Sequence, residues 1–250
     1  MGITEKRYGY RANPQLSAAQ IAAYLLASPT RRKSIIRDAR FPKRSIVAQY
    51  SKAREGLVSF LGDGTRSLHH LVDTTDYLEK RGNRADASDW LKRDSRMSIE
   101  AVAAFQRAYN KLGFRLLDCR ETPARLPALD EWAAKISVDI DVTIHVPTET
   151  GKDRIGAAIL LFSRGESSEA KRIEQSKTIA SLIFRFCNRF MLDRGDPDKK
   201  LCLAVDVFTG SSQGPQGQRK LDHIRDACEE IAARWDTINP PEDYDGPSPG

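Results

Sequence analysis

Asp139, Asp141 and His145 occupy alternate positions in the run Lys135–Val146, whose other parity is Ile136, Val138, Ile140, Val142, Ile144 and Val146. Such alternation predicts one half-buried strand. Side chains two apart on a strand point the same way, so both aspartates and the histidine share a face. Two carboxylates on one face repel each other unless a metal ion, a basic partner or water stabilises them. Metal ligation is therefore one expectation for Asp139 and Asp141, and His145 can complete such a site. The other expectation is a solvent-facing strand whose acids meet basic neighbours from a helix. Asp206 lies mid-strand in Leu201–Thr209 with Cys202 and Ala204 on its face, and a buried carboxylate there needs a partner. Glu100 stands near the start of a helical stretch, where the helix dipole also favours an acid.

The second chemical signal is a run of cations. Between Ser28 and Arg54 stand Arg31, Arg32, Lys33, Arg37, Arg40, Lys43, Arg44, Lys52 and Arg54, against the single acid Asp38. Residues 1–112 hold 21 Lys/Arg and 11 Asp/Glu, whereas residues 113–250 hold 19 and 23, within a net charge of +6 for the 250-residue chain. That asymmetry favours an anionic partner for the N-terminal half, with DNA or RNA first. Lys33, Arg37 and Arg40, spaced by four and three, share a helix face that can contact phosphates. Arg31, Arg32, Lys43 and Arg44 extend the candidate nucleic-acid-binding set. Few aromatic residues interleave these cations, so stacking on single-stranded bases is not indicated. The alternative is a solvated basic face that offsets the acidic half of the same protein.

Other patterns narrow the chemistry. Gly210–Gly217 lacks the Gly-Lys-Ser/Thr ending of a P-loop, and its proline removes a donor, so it reads as a connector. No His-Glu-x-x-His motif is present. The scattered cysteines 119, 187, 202 and 228 form no Cys-x-x-Cys pair and point to reduced thiols in a cytoplasmic protein. No apolar run approaches the ~20 residues of a membrane span, and residues 1–7 lack the apolar centre of a secretory leader. With 40% hydrophobic and 30% charged residues, the composition is that of a soluble globular protein.

Elements that position these residues follow from periodicity. Helices are predicted from the Ser17-Ala18-Ala19-Gln20 capping box through Leu26, from Ser28-Pro29-Thr30 to Phe41-Pro42, over Ser45–Leu61, over Thr65–Glu79, and from Asp86 to Leu112, as one long helix or two joined near Ser95, with Gly113 as the stop. After Gly113 the period becomes strand-like: Phe114–Cys119, Lys135–Val146, the apolar Arg154–Ser163, and Leu201–Thr209. Helices Glu169–Leu192 and Gln218–Trp235 separate and follow the last strand. The fold class expected is α/β (α+β), a helical N-terminal region followed by a roughly four-stranded mixed sheet flanked by helices. The corresponding division is a basic helical region over 1–94, an α/β core over 95–238 and a disordered, Pro-rich acidic tail over 239–250.

From Ser95 to Trp235 this order resembles the restriction-endonuclease-like core of the PD-(D/E)XK superfamily: a helix, a three-strand meander, a crossover helix and a fourth strand. The resemblance places Glu100 at the family's leading-helix acid and either Asp139 or Asp141 at its second-strand metal ligand. Glu174-Gln175-Ser176-Lys177 falls where some members carry further polar groups. It implies Mg²⁺ held by Asp139 and Asp141, with Glu100 or Asp206 completing the shell, if catalysis is retained. The acid-x-Lys element of the third strand is missing, because Ile155-Gly156-Ala157-Ala158-Ile159-Leu160-Leu161 carries no ionisable side chain. Asp153, Arg154 or Asp206 would have to take over that role. The expectation is a nucleic-acid-binding protein with a degenerate nuclease-like core, in a setting of bacterial defence or mobile elements. The alternative is a non-enzymatic scaffold subunit that binds an acidic protein partner.

Overall fold

The computed structural model describes residues 7–44, 49–123, 125–149, 151–163 and 168–247. The chain forms two compact units, each discontinuous in sequence. One comprises residues 1–47, 126–139 and 216–250, and the other residues 48–125 and 140–215.

In the first unit, β1 (Gln15–Ser17) leads directly into α1 (Ala18–Leu25). Ser17 caps that helix reciprocally with Gln20, the capping box that the sequence predicts. Helix α2 (Pro29–Arg40) starts at the Ser28 cap with proline in its first turn, where the missing N–H costs nothing. Strand β3 (Lys135–Ser137) pairs in parallel with β1, and α7 (Gln218–Trp235) packs on α1 and α2. Leu16, Ile21, Tyr24, Ile36, Ile136, Ile231 and Trp235 are buried here. Residues 239–247, expected as a disordered tail, are ordered against the N-terminal segment. Tyr244 meets Phe41 edge-on at 4.9 Å, and Asp245 accepts the Arg7 and Tyr8 amides at 3.0 and 3.1 Å. Two rings and two amide donors offset the entropy cost that acidic, Pro-rich composition alone would leave unmet. The remaining tail positions 248–250 lie outside the described residues.

The second unit holds α3 (Ser51–Gly62), α4 (His69–Gly82), α5 (Asp89–Leu112), β2 (Asp118–Glu121), β4 (Val142–Val146), β5 (Arg154–Leu161), α6 (Glu169–Phe190), β6 (Asp196–Asp206) and β7 (Ser211–Gln213). The five strands form one mixed sheet in the order β2-β4-β5-β6-β7. Pairing is antiparallel except between β5 and β6, which run parallel and are joined through α6. Cys119, Val142, Ile144, Ala158, Leu160 and Val205 point to one face, against Leu57 and Phe60 of α3 and Val102 and Phe105 of α5. Ala157, Ile159, Cys202 and Ala204 alternate to the other face, where α6 packs on β5 and β6. Gly156 sits where the β5–β6 register shifts, and a Cβ there would collide with the Leu201 backbone. Gly113 ends α5 in the left-handed conformation, at φ 75°.

The α/β class with N-terminal helices and a helix-flanked mixed sheet therefore holds. Further details differ from expectation, among them the first residues of α4 (His69) and β6 (Asp196). The run Lys135–Val146 is two strands, not one: residues 138–141 leave the ladder, and the chain passes from the first unit to the second after Asp139. Alternation persists through the break because Val138 and Ile140 are buried on either side of the crossing. Helix α3 starts at Ser51, after Tyr50 in the left-handed conformation, while its expected first residues Ser45–Val47 lie outside the described residues. Phe114–Leu116 is a single 3-10 turn before β2. Ser211–Gln213, inside the expected connector, adds the fifth strand.

Candidate functional site

Asp141 immediately precedes β4 and is buried, with 8% of its surface exposed. One carboxylate oxygen, Oδ2, accepts from Arg54 Nη1 at 2.6 Å and from the Leu160 amide at 2.7 Å. Arg54 Nη2 donates to the Leu160 carbonyl at 2.9 Å, and its guanidinium lies 5.0 Å from the Phe162 ring centre. The local reason is visible in the register. Strand β4 ends its pairing with β5 at Val142↔Ala158, so both polar groups of Leu160 lack a β4 partner. The Asp141 and Arg54 side chains supply the missing acceptor and donor, and each compensates the other's charge.

The remaining acids are dispersed. Asp139 is exposed at the end of the first unit's middle segment. Asp206, 6% exposed at the end of β6, accepts the Phe208 and Thr209 amides at 3.0 and 3.1 Å and lies 3.6 Å from Arg172 Nε of α6. It thereby caps the turn into β7, which answers its need for a partner. Glu100 is half-buried on α5, lining a groove of about 560 Å³ between α4 and α5 together with Lys92, Arg93 and Arg96. Among the described residues, no three His, Cys, Asp or Glu side chains are placed to share a metal ion. With Asp141 turned to Arg54 and Asp206 to backbone amides, these donors do not fit a Mg²⁺ shell, which needs several oxygens around one point.

His145 is buried beside Thr143, with Nε2 and Oγ1 3.2 Å apart. Burial, followed by the nearby Arg120 guanidinium, pushes its pKa below the usual histidine range. Its register partner Asp118 is held at 2.6 Å by Arg120.

The cations separate into two groups. Arg40, 4% exposed, donates to the carbonyls of Trp235 and Ile238 and to Asp236 at 3.2 Å. Arg32 pairs with Glu230 at 3.0 Å and covers the Tyr24 ring. Both are spent inside the first unit. Arg31, Lys33 and Arg37 are exposed on α2 and form no ion pair among the described residues. Lys43 and Arg44, also exposed, follow on the strand-like segment that bridges to Tyr8. The sharing of one face by Lys33, Arg37 and Arg40 gives way to division by burial: Arg40, with Ile36 one turn before it, turns to the core.

Sequence reasoning passed over Arg54 and Arg172 as partners of the buried acids. Arg54 stands 87 residues from Asp141, and no local spacing announces such a pair. A usable signal was present all the same: an acid inside an apolar strand run requires a buried cation or several amides. No family model matches the sequence, and no curated protein matches it significantly.

Proposed function

We propose that this protein binds nucleic acid through the exposed basic face of α2, and that its sheet unit is a nuclease-like core retained as a scaffold. The observation that carries the reading is Lys33 and Arg37, one turn apart on a shared face of α2, with Arg31 exposed on another side, all three without ion pairs among the described residues. Lys43 and Arg44 prolong the positive surface, and phosphates are the partner such a row suits. The scaffold part draws support from a leading helix, a three-strand antiparallel meander, a connecting helix and a fourth strand parallel to the third. It draws further support from Asp141 and Asp206, whose carboxylates serve backbone and arginine partners. A role in bacterial defence or a mobile element follows only from the resemblance to nuclease cores.

A second reading has its own observation. The acidic C-terminal segment already engages Arg7, Arg32 and Arg40 through Asp243, Asp245, Glu230 and Asp236. A surface that pairs with acidic chain can dock an acidic protein. Fluorescence anisotropy with a labelled DNA duplex, a DNA single strand and an RNA hairpin separates the readings. Nucleic-acid binding should weaken steeply between 50 and 200 mM salt, roughly tenfold or more if three or so phosphates are contacted. The triple variant Arg31→Glu, Lys33→Glu, Arg37→Glu should abolish it while leaving the fold intact. Retention at the same affinity in the triple variant would reject the α2 interface.

A further inference from the structure

We infer that the groove between α2 and the C-terminal end of α7 seats a phosphate group. This rests on the nucleic-acid reading only for the source of that phosphate. The groove encloses about 640 Å³ and is lined by Lys33 and Arg37 of α2 and by Arg234, with no acidic residue in its wall. That volume exceeds one phosphate and leaves room for the rest of a nucleotide.

Several features make this recess positive rather than merely basic in composition. Thr30 stands in the first turn of α2, at the positive end of the helix dipole, although Pro29 has no N–H and Ser28 takes the Arg31 and Arg32 amides. The opposite wall is the C-terminal end of α7, where carbonyls would normally repel an anion. Here buried Arg40 donates to the Trp235 carbonyl at that end and to the Ile238 carbonyl just beyond it, which weakens that opposition. Two acids lie close along the chain: Asp236, which follows α7 and pairs with Arg40 at 3.2 Å, and Glu230 within the helix. The latter is held between Arg32 at 3.0 Å and Arg234 at 3.1 Å, so one carboxylate is shared by two guanidinium groups. The hydroxyls of Ser34 and Thr237 are engaged as donors to the Thr30 and Arg234 carbonyls. The Thr30 hydroxyl and the exposed Asn239 amide carry no such bond among the described residues and remain available. Two long cations on one helix face, a third from another helix, an amide and a hydroxyl are the donors that phosphate oxygens take.

The source of the phosphate, a nucleic-acid strand or a free phosphorylated compound, is distinguished by two probes on the full chain. Inorganic phosphate is titrated while the backbone and side-chain resonances of Thr30, Arg37, Arg234 and Asn239 are followed by NMR. A labelled DNA duplex is titrated by anisotropy, with and without saturating phosphate. Saturable shifts confined to these residues, together with competition by phosphate, are expected. Asn239→Asp, an exposed and nearly isosteric change, should remove the shifts. Arg234→Ala should lower the duplex salt slope by about one. Duplex binding that phosphate neither competes with nor shifts at Arg234 and Asn239 would overturn the groove and leave the α2 interface standing. Shifts without duplex retention would keep the groove, assign it to free phosphate compounds and overturn the nucleic-acid reading. Absence of both responses would overturn both.

Discussion

Arg54 and Asp141 meet at 2.6 Å and together complete the hydrogen bonding of one backbone residue, Leu160. The pair joins α3, β4 and β5 at the point where the β4–β5 ladder stops. Because Arg54 is partly exposed, its loss admits some water to the carboxylate. Arg54→Ala should therefore destabilise by about 2–4 kcal/mol, toward the lower part of the range for breaking a buried pair. Replacing both with apolar residues, Arg54→Met with Asp141→Leu, should cost less than the two single changes summed, although Leu160 then keeps two unmet groups. Urea unfolding of the four proteins measures this, and strict additivity would dissolve the coupling.

His145 gives a pH signature. Its folded-state pKa lies below the ordinary value, first through burial and then through Arg120, with Arg194 adding and Asp118 and Asp153 opposing. The unfolded chain binds the proton more readily, so this contribution to stability is full above about pH 6.5 and is lost as pH falls from there toward the folded pKa. His145→Gln should flatten the stability profile on the acid side of about pH 6.5. An unchanged slope in thermal melts across that range would remove His145 as its source.

Gly156 answers a packing demand. A methyl group there would meet the Leu201 backbone, in the centre of a sheet that cannot yield at one strand alone. Gly156→Ala should cost about 1–3 kcal/mol or more, read as a lower urea midpoint. A neutral result would show that the β5–β6 register shift relaxes freely.

The ordered C-terminal segment has its own acid dependence. A hydrogen bond from Tyr8 leads in lowering the Asp243 pKa, and the Arg7 amide leads for Asp245. Depressed carboxylates stabilise above their unfolded values, and the effect fades as pH falls through the folded ones, so this docking should loosen below about pH 4. Asp243→Asn with Asp245→Asn should bring the same loosening at neutral pH. Hydrogen exchange at the Arg7 and Tyr8 amides should rise in both cases, and protection unaltered by either change would assign the docking to Tyr244 packing alone.

Much of the architecture was legible because its determinants are local. Ser17 with Gln20, Ser28 with Pro29, and Gly113 each announce a helix boundary within four residues, and α1, α2 and α7 follow closely. The apolar run within Arg154–Ser163 announced a strand, and β5 is buried along nearly its whole length. What periodicity could not express was a change of partner within a run. The alternation through Asp139 and Asp141 predicts burial at every second residue, yet the ladder breaks between β3 and β4, and from Ile140 to His145 every residue is buried, so β4 is covered on both faces. The acids were noticed for their type, but their arginine partners come from distant helices. Charge counting found the basic run, while only packing reveals that Arg32 and Arg40 face inward and leave Arg31, Lys33 and Arg37 outside.

The three-part make-up of the first unit constrains how the chain matures. Helix α2 buries Arg40 on carbonyls at the far end of α7, nearly two hundred positions later. During synthesis, α1 and α2 must wait on the ribosome-bound chain with an unpaired inward cation and an apolar side uncovered. No single cut separates the two units either, since 48–125 and 140–215 are interrupted by a segment belonging to the other. Recombinant fragments ending before α7 should therefore be lost to aggregation, however stable the sheet they contain.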